Sequence, residues 1–403
     1  MTKTSNYIIL ALVLSSLQLL ADSWTQKADL PGGIRSQSVS FSIGNKGYIG
    51  TGIAGRPTHD DSQVKYQDFW EWDPVSNVWT QKADFAGGIR YSAVGFSIGA
   101  KGYIGTGLGP DGASNDFWEY DPSTNTWTQK ANFGGAARNL ASGFSIGTKG
   151  YIGVGFNNSI EAALDFWEWD QASDTWIKKA NFGGVARGLA VAFSIGAKGY
   201  IGTGSEQNGN TLKDFWEWDQ ATDTWIQKAD FGGTARRLAV GFSIGTKGYI
   251  GTGNDGTLKS DFWEWDQATD TWIQKADLGG AARQEATGFS IGDKGYIGMG
   301  AVSQGGWSND FWEYCETCSV TAIDETIYSS GISVYPNPSN GFFFLDSDNS
   351  SIAGIKVFNS AGKMVYHSNS MISSIDLSDQ PKGIYIVLLS GKGQTVIKRI
   401  IIQ

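Results

Sequence analysis

The chain has 403 residues, with 40 acidic and 31 basic side chains and a formal net charge of −9. Its 55 glycines and 17 tryptophans, with only 18% charged residues, point to many short strands and tight turns rather than to disorder. The acidic balance argues against a nucleic-acid partner. Two histidines and two cysteines are too few for a multi-ligand metal site or a disulfide scaffold.

Residues 1–21 stand apart. Lys3 precedes an apolar run from Tyr7 to Leu20 that ends at Ala21. This reads as a secretory signal peptide cut after Ala21, although Leu19 is not the small residue usual three positions before a cut. The run is short for a membrane span, and no later segment reaches about 18 continuous apolar residues. The expectation is an exported, soluble protein with no stable membrane span.

From residue 22 onward the chain repeats itself. F-S-I-G-x-K-G-Y-I-G begins at Phe41, Phe96, Phe144, Phe193, Phe242 and Phe289, and D-F-W-E-(W/Y) at Asp68, Asp116, Asp165, Asp214, Asp261 and Asp310. A third phrase, with Trp two residues before an x-K-A ending, recurs at Trp24, Trp79, Trp127, Trp176, Trp225 and Trp272. Each period of 47 to 55 residues holds four strand-like runs separated by turn residues, the pattern of a β-propeller blade. The first unit starts with the Trp24 run alone and the last stops at Tyr314. The N-terminal strand is therefore expected to complete the sixth blade and remove an exposed edge.

These phrases resemble kelch repeats in the glycines after the second strand, the aromatic before Asp-Pro and the Trp beyond the turn. One departure is that the adjacent glycine pair is split, as Gly105-Thr106-Gly107. The resemblance implies an all-β fold, a six-bladed kelch-type propeller over residues 22–318 closed by its N-terminal strand.

Past Cys318 the repeat vocabulary stops. Residues 319–330 read as a polar linker, and 331–403 as a small β-sandwich. The opening Tyr335-Pro336-Asn337-Pro338, the turn Gly362-Lys363, the entry Leu377-Ser378-Asp379-Gln380-Pro381-Lys382-Gly383 and the terminus Lys398 to Gln403 closely resemble the type A C-terminal sorting domain of the type IX secretion system. That resemblance implies a Bacteroidetes-like source and Sec export followed by outer-membrane translocation. It further implies the secretion machinery as a partner through residues 331–403, and removal of this segment at the surface. The protein would then be secreted or attached to the outer-membrane surface. An ordinary seven-strand sandwich is the plainer alternative. Net charge separates the two parts, being −10 over 22–318 and zero over 319–403.

Near-identical blades provide an internal control. Positions alike in all copies, including the tryptophans and the glutamates of D-F-W-E, read as packing rather than as sugar platforms or glycosidase carboxylates. Six arginines, Arg35, Arg90, Arg138, Arg187, Arg236 and Arg283, each precede the Phe by six residues. They read first as structural; the functional alternative is a positive funnel for a carboxylate or acidic glycan. The next two residues vary: Ser36-Gln37, Tyr91-Ser92, Asn139-Leu140, Gly188-Leu189, Arg237-Leu238 and Gln284-Glu285. With loops 53–67, 108–115, 156–164, 205–213, 254–260 and 301–309 they should share one face.

The binding candidates are Arg237, Glu285, Gln284, Tyr91, Gln37, Asn139, Arg236, Arg283, Trp307 and His59, the last also readable as a solvated loop residue. Cys315 and Cys318 are expected to form a local disulfide. No cofactor is expected. Kelch-type copper oxidases need two His that this propeller lacks, and a sialidase would need a Ser-x-Asp-x-Gly phrase missing here. The leading expectation is non-catalytic binding of an extracellular glycan or protein. The alternatives are an enzyme resembling the kelch mutarotase of sialic acid, with Arg237 and Glu285 as its polar groups, and a purely structural surface protein.

Overall fold

The computed structural model describes residues 20–54, 64–319, 332–347, 352–359, 364–368, 370, 373–391 and 394–403. The chain divides into two compact units, Asp22–Glu316 and one formed around Thr317–Gln403. The signal-peptide reading, apart from its last two residues, the residue His59 and most of the linker fall outside the described residues.

The first unit is a β-propeller. Among the described residues it holds six four-stranded antiparallel sheets. The third sheet is representative, running Ser142–Ile146, Lys149–Gly153, Phe166–Asp170 and Thr175–Lys178 from the axis outward. The G-x-K-G phrase forms the first turn because its leading glycine takes a positive φ, +57° at Gly147. The innermost strand alternates buried and half-buried residues, while the second is buried along its apolar length.

Blades pack through layered aromatics. In the third, Tyr151 stacks on Phe166 at 5.6 Å, and Trp218 of the next blade meets Phe166 edge-on at 5.1 Å. The first glycine of G-Y-I-G leaves room for a neighbour: a Cβ on Gly199 would overlap the Phe144 ring at Cζ. Gly199→Ala should therefore cost about 1–3 kcal/mol through overpacking. A thermal melt reads this directly, and an unchanged midpoint would contradict the packing account.

Innermost strands pack in a cycle, each on the next and Thr287–Ile291 on Val39–Ile43. At the periphery, Leu20–Lys27 is the outer neighbour of Phe311–Ser319. There the Trp24 indole donates to Ala276 O at 2.9 Å, the bond that Trp79 makes to Ala28 and Trp225 to Ala180. Asp22 accepts from Ala276 N as Asp223 does from Ala180 N.

The second unit contains a three-stranded sheet, Ile332–Tyr335, Phe342–Ser347 and Ser374–Asp376, and a four-stranded one, Met364–Ser368, Ile352–Asn359, Gly383–Gly391 and Gln394–Ile402. Phe343, Ile355, Val357, Ile375, Val387 and Ile400 form its core. Asn337 of the Y-P-N-P opening donates to Arg399 O and accepts from Ile401 N, tying that motif to the terminal strand.

Candidate functional site

The six arginines are buried, at most 4% exposed, and both terminal nitrogens of each engage the Asp of D-F-W-E. One also donates to a backbone carbonyl, as Arg236 does to Thr252 at 2.9 Å, and the same aspartates accept a Trp indole N–H. Burial alone would raise these carboxyls. The arginine forks outweigh it and hold Asp116, Asp165, Asp214, Asp261 and Asp310 below the ordinary range. The positive-funnel alternative meets no free guanidinium here: Arg236 and Arg283 are placed in the scaffold and line none of the cavities described below.

The D-F-W-E glutamates are similarly engaged, each accepting from the G-Y-I-G tyrosine of its own blade. Burial foremost pushes those tyrosine hydroxyls far up.

The variable residues two past each arginine have a shared backbone role. Gln37, Ser92, Leu140, Leu189, Leu238 and Glu285 all adopt φ between +54° and +62°. Each amide donates to the carbonyl of the preceding member at 3.0–3.1 Å, and Gln37 N closes the circle on Glu285 O. This ring rims an axial opening of about 160 Å³, continuous in its lining with a channel of about 190 Å³ walled by small residues. Its side chains divide in two: Glu285, Gln37 and Ser92 form a polar arc, and three leucines the opposite arc.

Beside the polar arc lies a cavity of about 350 Å³. Gln37, Tyr91, Gln284, Glu285 and Trp307 line it, joined by Ser36, Ile53, Asn254 and residues 256–258, 301–303, 305 and 306. Ser36 donates to Glu285 Oε2 at 2.8 Å, Asn254 donates to Gln284 Oε1 at 2.7 Å, and Ser92 holds the Gln37 amide. Burial raises the Tyr91 phenol. The Trp307 indole is half-buried and makes no hydrogen bond among the described residues.

Other candidates fall elsewhere. Asn139 is buried with its amide directed to Phe156 O at 3.4 Å. Arg237 is half-buried, lines none of the three cavities described above and makes no side-chain hydrogen bond or ion pair among the described residues. Cys315 is disulfide-bonded, and the side chain of Cys318 lies outside the description. Ser36 is one of the varying residues that follow the arginines, and Asn254 lies in the variable loop 254–260. The pairing of the residue after each arginine with the one after G-x-G, as in Arg237 with Asn254, brings Asn254 to the mouth.

Residues 333–403 match the family model described as the secretion system C-terminal sorting domain. The tail is a sorting domain. It marks the chain as secreted or attached at the cell surface. The solved structure titled "Structure of YjhT" superposes with a TM-score of 0.61 and 16% identity, covering 71% of this chain and 95% of that one. At that identity the match supports the propeller fold alone. A curated N-acetylneuraminate epimerase of Salmonella typhi is 38% identical over 61 residues, which is 15% of this chain and 15% of that protein.

Proposed function

We propose that the propeller is a secreted or surface-displayed glycan-binding module, delivered by a sorting domain that is removed on arrival, with its ligand seated in the 350 Å³ cavity. The observation that carries this reading is where the cavity lies. Its wall is built from positions that differ between blades, while the positions common to all blades are engaged in the scaffold. A half-buried indole, a phenol and several amides around a concave site suit a sugar ring, which offers an apolar face and a rim of hydroxyls.

A protein partner would call for a broad exposed apolar patch, whereas Trp307 is half-buried inside the cavity. Catalysis of the mutarotase kind would use Arg237 together with Glu285, yet only Glu285 lines the cavity. The short epimerase match leaves that activity a second reading.

A glycan array probed with the full chain tests the proposal. Binding should be seen, and Trp307→Ala should weaken it by about tenfold or more while leaving the melting temperature unchanged. Absence of any bound glycan, or undiminished binding by the variant, would overturn it.

A further inference from the structure

Charge inside the cavity narrows the ligand. Among the residues lining it, Glu285 is the one acidic side chain and there is no Lys or Arg. Of the basic residues close by, Lys259 pairs with Asp255 at 2.7 Å and Arg283 with Asp310. Arg237, whose backbone pairs with Asn254, makes no ion pair among the described residues and is not among those lining the cavity. Among the described residues, the Glu285 carboxylate accepts one hydroxyl, that of Ser36, and takes part in no ion pair. Two oxygens with about four lone-pair positions are therefore left with most of their capacity open to the cavity.

The scaffold does not require that charge. The five equivalent positions of the mouth ring carry Gln, Ser or Leu at the same left-handed backbone angle. A half-buried carboxylate without a cation is unfavourable. Its backbone is nonetheless fixed on both sides by the ring bonds to Leu238 O and from Gln37 N. The group is thus held in place ahead of any ligand, which lowers the entropy lost on binding. Trp307 and Tyr91 border the same space, and aromatic faces attract a cation that a carboxylate also binds.

We infer that the glycan taken by this cavity bears a free amino group, its ammonium held by Glu285 against the aromatic wall. This deepens the glycan-binding reading and rests on it. The inference runs opposite to an acidic sugar, which the same carboxylate would repel.

Calorimetric titration of the full chain with a glucosamine tetramer, its N-acetylated counterpart and a glucuronate oligomer tests this. The solution is held at about pH 6, above the glutamate range and below that of an amine. The amino form should bind about tenfold more tightly than the N-acetylated form, and the acidic form least. Glu285→Gln keeps the size of the side chain and an acceptor for Ser36, and should abolish that preference. Equal binding of amino and N-acetyl forms would overturn the inference and leave the glycan reading standing, as would a preference that survives Glu285→Gln. Tighter binding of the acidic form would overturn it as well. Binding of none of the three, with an empty glycan array, would remove both.

Discussion

Asp261→Asn should lower stability by about 3–5 kcal/mol, among the largest effects of any single substitution in the propeller. Arg236 is fully buried, and its guanidinium meets the two Asp261 oxygens at 2.5 and 2.8 Å. It also donates to Thr252 O and lies 4.9 Å from the centre of the Phe231 ring. An amide in place of the carboxylate removes the compensating charge and turns one acceptor into a donor facing another donor. The cation then stays buried without its partner. Chemical denaturation reads this loss, and a cost below about 1 kcal/mol would mean that the pair contributes little.

The same pairs set an acid limit. Five of these aspartates are held below the ordinary carboxyl range in the folded chain, burial opposing and the arginine forks prevailing. A depressed folded value stabilises above the unfolded value, near about 4, and that stability is lost as pH falls through the folded value. The melting temperature should therefore be level from neutral pH to about 4.5 and then drop steeply. A flat profile down to about pH 2 would contradict the scaffold role of these carboxylates.

Trp24→Ala should cost about 3 kcal/mol, the loss expected for truncating a large aromatic at a packed interface. Its ring lies 5.0 Å from Phe262 and 5.1 Å from Tyr314, and its N–H bonds Ala276 O. Trp225 has the same surroundings within the array, against Phe166 and bonded to Ala180 O. If the N-terminal strand serves as a full blade strand in solution, Trp24→Ala and Trp225→Ala should destabilise alike. A near-neutral Trp24→Ala beside a costly Trp225→Ala would show that the strand is not seated. A cut after Ala21 would leave Asp22, the residue that accepts from Ala276 N, at the start of the mature chain.

Much of this architecture is legible in the repeated phrases, because each names a fixed physical task. The glycine of G-x-K-G must turn, the glycine of G-Y-I-G must admit a neighbour's Phe, and the Asp of D-F-W-E must answer a buried Arg. Comparing copies also pointed to Gln37, Tyr91, Gln284, Glu285 and Trp307, which the fold gathers around one cavity. What the residues could not convey is direction. Arg237 differs between blades as Gln284 does, yet it is not among the residues lining the 350 Å³ cavity. The mouth ring was equally hidden, since leucine at a positive φ, as at Leu140, Leu189 and Leu238, carries no local signal and runs against the usual preference. The repeat places loop 254–260 on this face, but it is the strand pairing of Arg237 with Asn254 that brings Asn254 to the mouth.

The most direct test follows the indole resonances by NMR as glycan is added to the full chain. The sequence contains 17 tryptophans, and Trp307→Phe identifies the one that matters. Ligand at the variable mouth should shift the Trp307 indole signal and leave the blade tryptophans in place. Shifts among the blade tryptophans with Trp307 unmoved would contradict the assignment of the binding site to this cavity.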